Sequence, residues 1–374
     1  AALDMVRVAR ASGAKVMVNG SDSSDHPSLY IGAGAHAVVL GDPEPGVLDL
    51  VRAWHGTSVG DSQGIAGLVV PVAGNGRMHR TAPRAPLSGL DELPFPAWDL
   101  VDAQEYRRAW TTAHGRLSWN MATSRGCPYR CNWCAKPLFG TRYNQRTPGN
   151  VAEELLHLRH VVAPDHVWFA DDIFGLTPTW IEAFAREVNA RDVRTPFTIQ
   201  SRANLMRDRV VNALADAGAE EVWLGVESGS QRILDAMDKG TTVEQIRSAT
   251  RELKAHGIRC GWFIQLGYRG EEWEDIVKTR DLMRDELPDD VGVSVAYPLP
   301  GTRFYDQVRS ELGPKTNWED SDDLAMMFQG TYSTAFYKRV RDLLHSEVSS
   351  RKPLDGAWDE LSHREPEYRV ATIG

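Results

Sequence analysis

Three of the chain's four cysteines, Cys127, Cys131 and Cys134, fall inside "SRGCPYRCNWCAKPLFG", residues 124–140. Their spacing is C-x3-C-x2-C, and the fourth, Cys260, is far away. An odd cluster in a chain this poor in cysteine does not read as a disulfide framework. Thiolates are soft ligands that suit iron–sulfur clusters or zinc. Structural zinc takes four protein ligands, usually as two pairs, and the loop holds no fourth Cys or His. Three thiolates on a four-iron cluster leave one iron open to a small molecule. Gly126 and Pro128 favour a turned loop that can wrap such a group. The alternatives are a zinc site completed by a distant His, or three incidental thiols.

A loop of this kind needs a scaffold. From about residue 117, strand-like runs alternate with helical ones: "LSWNMAT", "HVWFAD", "PFTIQ", "EVWLGV", "RCGWFIQ" and "GVSVAY". Val151, Leu155, Leu158 and Val162 fall on one helix face, and Asn150 with Glu153 predicts a capping box there. Thr177–Pro178 opens the next helix, with Ile181, Phe184 and Val188 on one face, and Thr242 with Gln245 caps another. Alternation of this kind implies parallel β/α units, in an open sheet or a partial barrel.

In such folds ligands bind at the C-terminal ends of the strands, and that is where the polar residues fall. The cysteine loop follows the first strand. Asp171 and Asp172 end the second, Gln200 to Arg202 the third, and Gly225, Glu227 and Ser228 the fourth; Gln265 ends the fifth and Tyr297 the sixth. Glu227, beside small residues in "GVESGS", suits ribose hydroxyls or an ammonium group. Arg202 suits a carboxylate, or a surface ion pair. Asp171 and Asp172 serve equally as loop caps. Tyr297 serves as a substrate-facing group or as packing. Cys260, at the start of the fifth strand, reads as a buried inert thiol.

With these residues in view, the chain resembles the radical S-adenosylmethionine (SAM) enzymes. Trp133 just before the last cysteine of C-x3-C-x2-C matches their loop. "VWFADDIFG", "EEVWLGVESGSQRIL", "GWFIQLGYRGEEWEDI" and "AYPLPGTRFYD" resemble strand-end motifs of the branch that carries an N-terminal cobalamin-binding domain. "VMVNGSDSSDHP" and "GAHAVVLGDPEPGVLDLV" resemble the end of that domain. The sequence departs from the pattern in three ways. It has no Asp-x-His-x-x-Gly for a lower axial His, and His26 is a poor substitute. The first half of the domain is missing, and a start at Ala1 reads as a fragment or a processed chain. Arg269 and Glu272 stand where relatives often have Pro and Thr.

The resemblance implies an α/β fold: a partial (β/α)6 TIM-like radical SAM barrel, preceded by an incomplete Rossmann-like cobalamin-binding-type segment and followed by a helical C-terminal tail. The expected organisation is a cobalamin-type segment over residues 1–56, a Pro-rich meandering connector over 57–115, the core over 116–315 and the tail over 316–374, its last twenty residues loose. It implies that Cys127, Cys131 and Cys134 hold a [4Fe–4S] cluster. SAM would be bound by Trp133, Asp172, Arg202, Gly225, Glu227, Ser228 and Gln265, with Tyr297 the catalytic candidate. Cobalamin is a further cofactor if the N-terminal segment still binds it. The implied reaction is reductive cleavage of SAM to a 5′-deoxyadenosyl radical, for methylation or another C–H modification of a small molecule. A flavodoxin or ferredoxin would donate the electron. The competing readings are a methylthiotransferase acting on tRNA and a non-enzymatic iron–sulfur or zinc protein.

The bulk numbers agree with this reading. Of 374 residues 42% are hydrophobic and 25% charged, ordinary for a globular chain. Net charge −9 disfavours non-specific nucleic-acid binding. The longest apolar run, Ile65–Ala73, is broken by Gly67 and Pro71, far short of a membrane span. No leader pattern is visible, so a reducing cytoplasmic setting is expected.

Overall fold

The computed structural model describes residues 1–56, 62–72, 74, 76–135, 139–312 and 324–370. The chain forms two compact units, one of residues 1–90, 125–128 and 135–144, the other of 91–124, 129–134 and 145–374. The expected boundaries at 57 and 316 fall outside the described residues.

In the first unit a four-stranded sheet runs β1 (Met17–Asn19), β2 (Ala37–Val39), β3 (Leu68–Pro71), β4 (Met78–Arg80), in that order. β1 and β2 are parallel, as a βα unit requires, and β3 and β4 are antiparallel additions. Every residue of β2 is buried, so it packs helices on both faces. The Pro-rich stretch expected to meander therefore supplies a hairpin. "LVV" is too short to show a period and Pro71 ends it at once.

In the second unit six strands form one parallel sheet in strict chain order: β5 (Ser118–Met121), β6 (His166–Phe169), β7 (Phe197–Ser201), β8 (Ala219–Glu227), β9 (Arg259–Leu266) and β10 (Asp290–Val295). A singly wound order without reversal decides for the partial barrel over the doubly wound sheet. The helices Pro148–Val161, Pro178–Ala190, Asp208–Ala217, Val243–Ala255 and Trp273–Glu286 alternate with the strands. Their apolar stripes are the cause: Val151, Leu155, Leu158, Ile181, Phe184 and Val188 are each at most 5% exposed. Burying each such side chain contributes roughly 1.5–3 kcal/mol.

Three local expectations are corrected. The helix at 148 is capped by Thr147, whose hydroxyl accepts from Asn150 N, with Pro148 in the first turn, not by Asn150 with Glu153. Ala103–His114 is a helix that periodicity could not show, because none of its residues is buried; only the Asp102 carboxylate, accepting from Gln104 N and Glu105 N, marks its start. Within the last twenty residues, expected to be loose, a helix forms. Asp355–Tyr368 is helical and buries Trp358 and Leu361 among charged neighbours that hide the stripe. Thr242 and Gln245 do form the expected capping box. No helix among the described residues is long and apolar enough to cross a membrane.

Candidate functional site

None of the four cysteines is in a disulfide; Cys127, Cys131 and Cys134 are partly exposed and Cys260 is buried. Each part of the segment that carries the three is anchored within its own unit. In the first unit, Cys127 N donates to Gly140 O at 3.3 Å. Gly126 sits at φ 79°, where a Cβ would lie 2.2 Å from Arg142 O, so only glycine fits this turn. Arg125 is held by Asp42 at 2.6 Å and by Glu44 at 2.5 Å.

In the second unit, Cys134 N closes a turn onto Cys131 O at 3.4 Å. Asn132 between them is buried and fixed from several sides. Its N–H donates to Met237 O at 3.0 Å, its Nδ2 to Ala236 O at 2.7 Å, and its Oδ1 accepts from the Tyr268 hydroxyl at 2.8 Å. Trp133 packs beside Tyr268, Phe304 and Phe328, and its buried indole N–H has no acceptor among the described residues.

Asp171 anchors the start of the loop. Its Oδ1 accepts from Thr123 N and Thr123 Oγ1, each at 3.0 Å, and from Ser124 Oγ at 2.5 Å. Burial pushes its carboxyl up to about 6, against the pull of those bonds. Its Oδ2 has no partner among the described residues. The neighbouring Asp172 is exposed.

At the end of β7, Arg202 is 6% exposed and almost fully engaged. Its Nη1 donates to Cys131 Sγ at 3.4 Å, its Nη2 to Lys239 O and to Thr241 Oγ1, and its Nε to Asn204 Oδ1. The guanidinium lies 3.8 Å over the Tyr129 ring. Its partners among the described residues are thus a cysteine sulfur, a backbone carbonyl and two side-chain oxygens.

At the end of β8, the pairing with β9 shifts register between Gly225 and Glu227, and Glu227 adopts φ 64°. A bulge and a left-handed non-glycine residue together re-aim one side chain at a strand end. The Glu227 carboxylate, 5% exposed, receives Lys239 Nζ at 2.6 Å. Gly225 makes the room: a Cβ there would lie 2.7 Å from Lys239 Nζ and 2.9 Å from Glu227 Oε1.

Ser228 is engaged within the protein. It is wholly buried, bonds Thr279 Oγ1 at 3.3 Å, and accepts from Ser230 N at 3.1 Å. At Gly229 a Cβ would lie 2.5 Å from Lys278 O, so glycine there admits the helix Trp273–Glu286. Gln265, ending β9, is 4% exposed with its Oε1 unpartnered among the described residues. Tyr297, just past β10, is half-buried against the main core. Cys260 is inert, as expected; burial pushes its thiol up to about 12.

The departure at 269–272 lies at the head of the helix Trp273–Glu286. Glu272 forms a capping box with Asp275 at the head of the next helix, work a threonine would also do. Beside it Glu271 is buried, accepts from Gly267 N at 2.6 Å, and is pushed up to about 8 by that burial.

The donor set suits an iron–sulfur cluster in its chemistry: three cysteines close in sequence, none in a disulfide, and a guanidinium N–H on the sulfur of Cys131. Lys239, Asn132 and Tyr129 were not singled out by the strand-end rule. Lys239 lies in the loop between two helices, and Tyr129 and Asn132 lie between the cysteines themselves.

A family model described as the radical SAM superfamily matches residues 121–283. A protein of Pyrococcus horikoshii named an uncharacterized methyltransferase is 31% identical over 285 residues, 75% of this chain and 60% of that protein. The anaerobic magnesium-protoporphyrin IX monomethyl ester cyclase of Rubrivivax gelatinosus is 29% identical over 287 residues, 75% of this chain and 49% of that protein. The chain therefore spans about half to three-fifths of these relatives. Among solved structures, the radical SAM methyltransferase TsrM of Kitasatospora setae, with cobalamin and a [4Fe–4S] cluster bound, superimposes with TM-score 0.70 at 20% identity, covering 90% of this chain and 66% of that one. That likeness is one of fold.

Proposed function

Since the chain belongs to the radical SAM superfamily through residues 121–283, we propose that it cleaves SAM reductively and uses the resulting radical to modify a small molecule, by cobalamin-dependent methylation or another C–H modification. The observation that carries the reading is the C-x3-C-x2-C segment that follows the first strand of a parallel half-barrel, with Cys131 tied to the end of β7 through Arg202. In this reading Cys127, Cys131 and Cys134 hold the cluster. A [4Fe–4S] cluster there supplies the electron that splits SAM into methionine and a 5′-deoxyadenosyl radical.

The protein's own residues do the rest. Asn132 and Asp171 fix the loop. Glu227, held by Lys239, and Gln265 with its unpartnered oxygen offer acceptors to the hydroxyls and ammonium of SAM. Trp133 and Gly225 shape that pocket, Asp172 lies at its rim, and Tyr297 faces the substrate. Ser228 belongs to the packing. Cobalamin and methyl transfer are favoured by the methyltransferase relatives, and an external one-electron donor of the flavodoxin or ferredoxin kind completes the scheme in a reducing cytoplasm, where free thiols persist. The tRNA methylthiotransferase reading is not favoured: the net charge of −9 opposes RNA binding.

The test is anaerobic. The chain is reconstituted with iron and sulfide, reduced, given SAM and assayed for 5′-deoxyadenosine, with Cys131→Ala beside it. Product that depends on Cys131 supports the reading. A chain that takes up only zinc sinks it.

A further inference from the structure

We propose that Arg202 is a positioning residue that sets the reduction potential of the cluster through the hydrogen bond it donates to Cys131 Sγ. The inference rests on Cys131 being a cluster ligand, as proposed above. The Cys131 sulfur stands in for the cluster-bound thiolate.

The guanidinium is fixed before any cofactor arrives. It is 6% exposed, and its carbon lies 3.8 Å over the Tyr129 ring. Of its five N–H groups, Nε uses one on Asn204 Oδ1 at 3.2 Å, and Nη2 uses two on Lys239 O and on Thr241 Oγ1 at 3.1 Å. Nη1 points one at Cys131 Sγ at 3.4 Å. That leaves one N–H, on the same nitrogen, without a partner among the described residues. A bidentate grip on the carboxylate of SAM needs two free N–H groups on one edge. Arg202 would have to surrender buried bonds to provide them, and leaving buried acceptors unpaired is costly.

A charged N–H on a ligating sulfur acts differently on the two states of a cluster. The oxidised cluster gains one electron on reduction, and the added negative charge lands partly on the sulfurs. A fixed cation with its N–H aimed at one of them stabilises the reduced state more, so the potential rises. The guanidinium is nearly closed to solvent, which limits the screening of that interaction. Lys239 O and Thr241 hold the cation from the loop that also sends Lys239 Nζ to Glu227 at 2.6 Å, so the sulfur donor and the Glu227 carboxylate share one support.

The measurement is a dithionite titration of the reconstituted full chain, without SAM, followed by electron paramagnetic resonance, for wild type, Arg202→Met and Tyr129→Leu. Iron content and circular dichroism are read first. Arg202→Met should lower the ratio of reduced to oxidised cluster at fixed potential by about tenfold, the lower end of what a group bonded to a metal ligand is usually worth, or about 59 mV for a one-electron couple. Tyr129→Leu, which only loosens the guanidinium on a half-buried face, should move it the same way by less. If Arg202→Met does not fold, the Tyr129→Leu shift decides. An unchanged potential in variants that load iron normally overturns the inference, and a raised SAM dissociation constant with that unchanged potential would assign Arg202 to SAM instead. Failure of the wild type to load a cluster would instead sink the functional reading itself.

Discussion

Lys239 Nζ meets Glu227 Oε1 at 2.6 Å across a space that exists because residue 225 is glycine. Both partners are nearly solvent-free, at 6% and 7% side-chain exposure. A buried pair gains little over an apolar pair, yet breaking it by removing one partner typically costs about 3–5 kcal/mol. Lys239→Met should therefore lower the urea midpoint by a stability loss of that size, and adding Glu227→Gln should recover most of it. If Lys239→Met is as stable as wild type, the pair does not hold Glu227 in place.

Gly225→Ala tests the same space from the other side. The new methyl would lie inside contact distance of both charged atoms. Overpacking of this kind typically costs about 1–3 kcal/mol. In the proposed function the larger effect falls on SAM affinity, since the carboxylate must turn aside. Equilibrium binding of SAM to the reconstituted chain should weaken by more than the fold does. Equal losses in both would make Gly225 a packing residue only.

Asp171 predicts a contrast between two variants. Three donors from Thr123 and Ser124 converge on its Oδ1, just before the cysteine loop begins. Asp171→Asn keeps an acceptor there, whereas Asp171→Ala leaves buried donors unpaired at about 1–3 kcal/mol. Iron bound per chain after reconstitution should fall for the alanine variant and stay near wild type for the asparagine variant. Full iron loading in Asp171→Ala would show that the loop holds without this anchor.

What the sequence showed and what it hid follow from the range of each interaction. The cysteine spacing is local, so the loop was legible at once. The strands and helices of the half-barrel declared themselves through apolar runs and stripes that are now buried. Partners across the fold had no local signal. Arg202 was placed correctly at a strand end, but its sulfur and backbone acceptors come from two distant loops. Within "GVESGS" the two glycines look alike in sequence, yet Gly225 makes room for the Lys239–Glu227 pair and Gly229 for the helix Trp273–Glu286. The helix Ala103–His114 buries nothing and so had no stripe to read.

Glu271 gives stability a pH dependence of definite sign. Burial is the main cause that lifts its carboxyl from 4.5 to about 8, with Asp275 adding to the lift and the bond from Gly267 N and the charge of Arg232 opposing it. The folded chain thus holds a proton that the unfolded chain has already released. Its contribution is fully present below the unfolded value and is lost as pH rises from about 4.5 through about 8, after which it is constant. Glu271→Gln cannot ionise and still offers an oxygen to Gly267 N. The variant should match wild type near pH 4 and become the more stable of the two as pH climbs towards 8. Urea unfolding of both chains across that range checks this, and parallel curves would mean that Glu271 is ionised in the folded state.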